Sequence, residues 1–168
     1  APLVLLLGTR RAAWLGFVHG FATWVVAILW IVPTLLTFGS LPKPLAWPCL
    51  ALLSGYLALY PAAFAGIGAR LWRSGSVWVA WIGLPSLWVV LEALRGRLLG
   101  GFPWNPAAHA FLGISGALPS AAWFGVHGVS FLVLFANVGI ALAIRSRRFE
   151  PAVLAVLGPL LIFGIAAR

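Results

Sequence analysis

Apolar residues run along this chain in long unbroken stretches, and charged residues stand between them. Five windows carry no charge: 12–42, 44–69, 74–91, 98–144 and 151–167, of 31, 26, 18, 47 and 17 residues. A helix that crosses a bilayer needs about 20 mostly apolar residues, within a range of about 17–25. Four windows therefore predict one span each, roughly 12–37, 46–69, 76–95 and 151–167. The 47-residue window divides. Its first half is interrupted by Gly100, Gly101, Pro103, Pro106, Gly113, Gly116 and Pro119, whereas 124–144 is clean. A broken backbone cannot face lipid, because its unpaired amides find no partner there. The window thus predicts an interfacial or re-entrant segment over 98–123 and then one span over 124–144. The fold class expected is an all-α integral membrane protein. Residues 1–168 form a single domain, a bundle of about five transmembrane helices plus that segment, with 1–8 as the tail of an earlier span.

The basic residues test this parity. With one span in the long window, Arg10, Arg11, Arg70, Arg73, Arg145, Arg147 and Arg148 share one side, and Lys43, Arg95, Arg97 and Arg168 the other. Basic residues accumulate on the cytoplasmic side of membrane proteins, so the group of seven predicts that side. The loop 38–44 and the segment 98–123 then lie outside the cytoplasm. A second span in the window would leave no such preference.

Composition agrees with the pattern. Hydrophobic residues make up 63% of the chain and charged residues only 8%, against about 25% charged in soluble domains. Mean hydropathy is +1.09. So little charge cannot cover a water-facing surface, which excludes a soluble domain. The net charge of +9 does not indicate nucleic-acid binding, which gathers Lys and Arg on one polar face; here they mark membrane boundaries. The single cysteine, Cys49, excludes an internal disulfide and a cysteine metal cluster. The chain has no methionine, and both of its ends fall at apolar runs, so it reads as a segment of something longer.

Two stripes of small residues predict close helix contacts: Gly16-Phe-Val-His-Gly20, with the GxxxG spacing, and Ala62, Ala65, Gly66 and Ala69. Trp14, Trp72, Trp78 and Trp123 fall near span ends and predict an interfacial aromatic belt. Asn137, inside an apolar span, predicts an interhelical hydrogen bond. His19, His109 and His127 stand on different elements with no carboxylate near them in sequence, which gives no metal site. Glu92 is one of two acids, the other being Glu150. It lies one turn from the end of its span, with Arg95 three residues on and on the same helix face. Two readings stand: an ion pair anchoring the helix end, or a functional ionisable group at membrane depth. The stretch Arg95-Gly-Arg-Leu-Leu-Gly-Gly-Phe-Pro-Trp-Asn105 combines two guanidinium groups with a glycine bend and an aromatic pair around Pro103. Arg binds phosphate through a bidentate fork. Arg95, Arg97, Phe102, Pro103, Trp104 and Asn105 are therefore candidates to face a phospholipid, and an ordinary interfacial loop with a Trp anchor is the alternative.

These residues also carry a resemblance. Gly16-Phe-Val-His-Gly-Phe21, Trp30 to Gly39 followed by Leu41-Pro-Lys-Pro44, Tyr56 to Tyr60, and Phe64-Ala-Gly66 occur in an order similar to the membrane domain of bacterial apolipoprotein N-acyltransferases. Pro85-Ser-Leu-Trp-Val-Val-Leu-Glu-Ala-Leu-Arg-Gly96 running into Gly101-Phe-Pro-Trp-Asn105 resembles it most, and Gly125-Val-His-Gly-Val-Ser-Phe131 completes the order. One run departs: Pro106-Ala-Ala-His-Ala-Phe111 stands where the family has a Leu-Gly-Tyr-Ser-Gln-like sequence. The resemblance implies a multi-pass protein of the bacterial cytoplasmic (inner) membrane. Its reaction would transfer an acyl chain from a phospholipid donor to the N-terminal cysteine of a lipoprotein substrate, without a cofactor. It places the Glu-Lys-Cys chemistry in a nitrilase-like domain that this chain lacks, so no catalytic residue is assigned here, and Cys49, Lys43 and Glu92 are not drafted into a triad. Glu92 and Arg95 would order their helix end, and Arg97, Phe102, Pro103 and Trp104 would line the route to the catalytic domain. A non-enzymatic membrane scaffold or small transporter is the alternative, with Glu92 and Asn137 to line a polar path.

Overall fold

A computed structural model describes residues 2–167. Ala1 and Arg168, and with Arg168 its side of the membrane, lie outside the described residues. Every regular element among them is helical: α1 (Pro2–Leu5), α2 (Ala12–Ala27), α3 (Ile31–Thr37), α4 (Lys43–Arg73), α5 (Leu84–Arg95), α6 (Ala117–Ser146) and α7 (Glu150–Ala166), with short 3-10 turns at Leu6–Gly8, Leu98–Gly100 and Ala107–Phe111. Among the described residues, α4 and α6 are each long and apolar enough to cross a membrane, and α2 with α3 makes a third candidate if the pair counts as one span.

The span expected over 12–37 is not one helix. It breaks after Ala27, and α3 leaves α2 at 49°. Pro33 accounts for the break. It sits in the first turn of α3, where its missing N–H is not needed, but its ring would clash with the carbonyl of Leu29 in a continuous helix. The helix α4 runs longer than 46–69. Pro44 opens it, and Pro48 and Pro61 lie inside it. The expected 76–95 helix begins at 77, loosens into a π turn over Val79–Gly83 and continues as α5. The broken segment is shorter than expected at its far end, because α6 already starts at Ala117. Gly116 enters it with φ +85, and Gly125, with φ +67, interrupts it near the expected start of the clean span. The last helix, α7, has 17 residues.

The two small-residue stripes meet each other. A Cβ on Gly16 would stand 2.6 Å from Ala65 Cβ and 2.7 Å from the Pro61 carbonyl, and one on Gly20 would stand 2.7 Å from Pro61 Cγ. The backbones of α2 and α4 therefore touch, as small residues allow in a membrane. Gly139 of α6 meets Ala155 of α7 in the same way. Phe64, Trp72, Trp81, Leu84 and Val138 form the main core. A second cluster joins Trp24, Ile28 and Val32 to Leu50 and Leu57, and a third joins Ala108 and Val129 to Phe163. Trp72 corrects an expectation. It is not an exposed belt residue but is buried, with the Arg145 guanidinium 5.0 Å above its ring. Trp14, Trp78 and Trp123 are exposed. Within α6, Asn137 Nδ2 donates to the Val133 carbonyl at 2.8 Å. Arg10, Arg70 and Arg73 line one groove, so the arginines at the start of α2 and the end of α4 share one end of the bundle.

Candidate functional site

The irregular chain between α5 and α6 folds over the C-terminal end of α5. Leu99, Gly100, Gly101 and Asn105 all have positive φ. Gly101 is the position where glycine is required, because a side chain there would run into the Gly96 carbonyl. The turn lets the Phe102 amide donate to the Arg95 carbonyl at 2.8 Å, and Tyr56 Oη reaches the Leu98 carbonyl at 3.3 Å. Phe102 packs edge-on against Trp24, with ring centroids 6.1 Å apart. Trp104 turns outward against Trp30 at 5.1 Å.

Glu92 organises the rest. The residue is 7% exposed. Oε2 accepts from Trp88 Nε1 at 3.2 Å and from the Ala107 amide at 2.9 Å. Oε1 accepts from Ser130 Oγ at 2.7 Å, and His127 Nδ1 lies 3.4 Å from it. Ser130 Oγ in turn accepts from the Ala108 amide at 3.0 Å. One carboxylate thus ties together α5, the 3-10 turn at Ala107–Phe111 and α6. The two amides belong to the first residues of that turn, where backbone N–H groups have no helical partner. A charged acceptor makes such hydrogen bonds shorter and stronger than neutral ones.

Two expectations change here. Glu92 and Arg95 do not form an ion pair among the described residues; the shared helix face brings them to one region, but their heads diverge. Glu92 turns to the Ala107 amide, Trp88 and Ser130. Arg95, 5% exposed, lays its guanidinium 4.6 Å from the Trp24 ring centroid. His127 does have a carboxylate beside it, supplied across the fold by Glu92.

Cavities flank Arg95. One of about 400 Å³ is lined by Arg95 with His19, Thr23, Trp24, Asn105 and His109, among others. Another of about 370 Å³ is lined by Glu92, Arg95, Arg97, Pro103, His109 and His127, among others. The structure therefore gathers Arg95, Arg97 and Pro103 with Glu92 around one cavity and Asn105 with Arg95 around the other, while Phe102 and Trp104 brace the loop against α2 and the α2–α3 bend. Ser130, Trp88, Trp24 and the amides of Ala107 and Ala108 are the members that sequence reasoning missed. Ser130 and Trp88 lie within stretches already singled out; the amides carry no side-chain signal. Cys49 is free and exposed on α4, away from this cluster.

Residues 1–139 match the family model of the apolipoprotein N-acyltransferase N-terminal domain. A protein of Vibrio cholerae named apolipoprotein N-acyltransferase is 34% identical over 160 residues, covering 89% of this chain and 30% of that protein. One of Geobacter metallireducens with the same name is 38% identical over 156 residues, covering 90% and 30%. One of Chromobacterium violaceum is 35% identical over 149 residues, covering 87% and 28%. The chain spans less than a third of the length of these relatives. The matched region contains the whole Glu92 cluster and the loop above α5.

Proposed function

Because the chain belongs to the apolipoprotein N-acyltransferase family, whose N-terminal domain it matches, we propose that it serves as the membrane portion of an enzyme that moves an acyl chain from a phospholipid to the N-terminal cysteine of a lipoprotein. In this reading the domain lies in the bacterial inner membrane as a bundle of about five spans, with 98–116 on the outer face. The bond chemistry is carried outside these 168 residues. This domain anchors the enzyme, admits the lipid sideways and delivers it at the Arg95 end of α5.

The observation that carries the reading is the loop pinned by Glu92. The loop is broken chain at the edge of an apolar bundle, yet it is fixed to two helices, α5 and α6, through one carboxylate and Ser130. Leu98, Leu99 and Trp104 project from it, and cavities that include Arg95 in a mainly apolar lining open beside it. Exposed apolar side chains at this position suit acyl chains, and Arg97 and Asn105 suit a head group. Lys43, at the start of α4, lies on the same side in this topology.

The test uses the full-length enzyme. Arg97→Ala and Trp104→Ala should each lower acyl transfer to a lipoprotein acceptor, while the protein still fractionates with the membrane. Full activity in both variants would reduce the loop to an anchor and remove it from the lipid route.

A further inference from the structure

We propose that Arg95 anchors a phosphate-binding site inside the bundle, and that its ligand is the phosphodiester of a membrane lipid. The inference rests on the reading above that a phospholipid meets this domain. It moves the phosphate contact from the exposed Arg97 to the buried Arg95.

Arg95 is a cation with its direct partners missing. It is 5% exposed, and its buried Nε has no hydrogen-bond partner. Among the described residues no carboxylate pairs with it. Glu92 is near in sequence, but both of its oxygens are already engaged by Trp88, Ala107, Ser130 and His127. The Trp24 face 4.6 Å away stabilises a cation only partly. The Glu92 charge one turn back acts on Arg95 without touching it, and a buried guanidinium with no hydrogen-bonded anion is costly, because its desolvation is only partly repaid. Burial and the orphaned N–H together indicate that something anionic completes the site.

The surroundings fit phosphate. Arg95 borders both cavities. In the cavity of about 400 Å³ it stands with His19, Asn105 and His109, all of which have ring or amide nitrogens. The volume lies in the range of small-molecule sites. The guanidinium fork matches two phosphate oxygens at once. The exposed side chains of Leu98, Leu99 and Trp104 stand on the loop that closes this end and offer apolar surface for the chains of the same molecule. This favours a lipid phosphate over free phosphate.

Full-length protein purified in detergent would be titrated with dioleoylphosphatidylglycerol, dioleoylglycerol, oleate and inorganic phosphate, and bound species counted by native mass spectrometry. The expected result is one retained phosphatidylglycerol, bound about tenfold or more weaker by Arg95→Gln. Arg70→Gln, at the other end of α4, should bind as wild type, and dioleoylglycerol should be retained far less. Equal retention by Arg95→Gln overturns the site. Dioleoylglycerol or oleate binding wild type as tightly as phosphatidylglycerol overturns phosphate recognition, and inorganic phosphate binding as tightly overturns the lipid as its source. Should Arg95→Gln not fold, the wild-type comparison of phosphatidylglycerol with dioleoylglycerol decides alone. Acyl transfer is assayed separately. Binding that ignores Arg95 in an active enzyme sinks this site and leaves the functional reading standing. An inactive wild-type enzyme sinks that reading and leaves the binding result untouched.

Discussion

The seam between α2 and α4 and the cluster around Glu92 join parts of the same bundle by opposite means. At the seam the deciding feature is the absence of side chains: Gly16 and Gly20 let two backbones touch across Pro61, Ala62 and Ala65. Among the described residues no side-chain hydrogen bond joins the two helices there, and the contact is one of shape and dispersion. Around Glu92 the deciding feature is a charge that accepts from two side-chain groups and a backbone amide, with His127 beside it. The contrast follows from what each region must satisfy. The two helices bond their own backbones and need only fit together. The chain over 98–116 leaves regular structure, and in a membrane its amides have no water to bond. A broken segment there requires an acceptor, and a carboxylate on a neighbouring helix supplies one.

Removing the acceptor should have the largest effect. Glu92→Ala strands the Ala107 amide and Trp88 Nε1 and leaves Ser130 Oγ without its acceptor. Breaking a buried charged network of this kind costs about 3–5 kcal/mol. The full-length variant should lose monodispersity in detergent at lower temperature, and the loop over 98–116 should become sensitive to protease. Glu92→Gln keeps one acceptor oxygen and should fall between Ala and wild type. If Glu92→Ala leaves the loop as protected as wild type, the carboxylate does not hold it, and the contrast with the glycine seam fails.

The seam should fail differently. Gly16→Leu places its side chain against Ala65 and a backbone carbonyl of α4 that cannot move aside. Overpacking typically costs about 1–3 kcal/mol. The thermal transition should drop, while proteolysis of 106–116 stays as in wild type, because none of the Glu92 partners lies on α2. Glu92→Ala and Gly16→Leu together should be close to additive, as expected for separated sites. Strong coupling would mean that the seam and the cluster are one unit.

These two regions were not equally legible in the sequence. Spacing of Gly16 and Gly20 states a close contact directly, and only the identity of the opposing stripe had to come from the fold. The helical segments were legible too, since charge-free windows mark them, although Pro33 turned one expected span into a 49° bend. Glu92 stood out because acids are so few, but its partners did not. Ser130 lies 38 residues away, and one donor to Glu92 and one to Ser130 are backbone amides, which no residue type announces. The Arg95 pairing was read from helix spacing, and spacing on one face does not fix where two long side chains point. The run 106–111 supplies Ala107 and Ala108 to the cluster through main-chain N–H groups. The side chains of that run take no part in the hydrogen bonds that place the loop.

The smallest effect sharpens the comparison most. Trp30, beside the α2–α3 bend, meets Trp104 with centroids 5.1 Å apart, and both are exposed. Such a pair contributes about 0.5–1.5 kcal/mol beyond its buried area. Trp30→Ala should therefore barely move the thermal transition of the full-length protein. Hydrogen exchange should still report it: amides over 102–105 should exchange faster, while those of Ala107 and Ala108 keep their protection. The two halves of the loop are then held separately, the first by aromatic contact with the α2–α3 arm and the second by Glu92 and Ser130. If Ala107 and Ala108 lose protection along with 102–105, the aromatic pair and the carboxylate act as a single clamp. The α2–α3 arm would then control the loop above Arg95 from the far side of the bend.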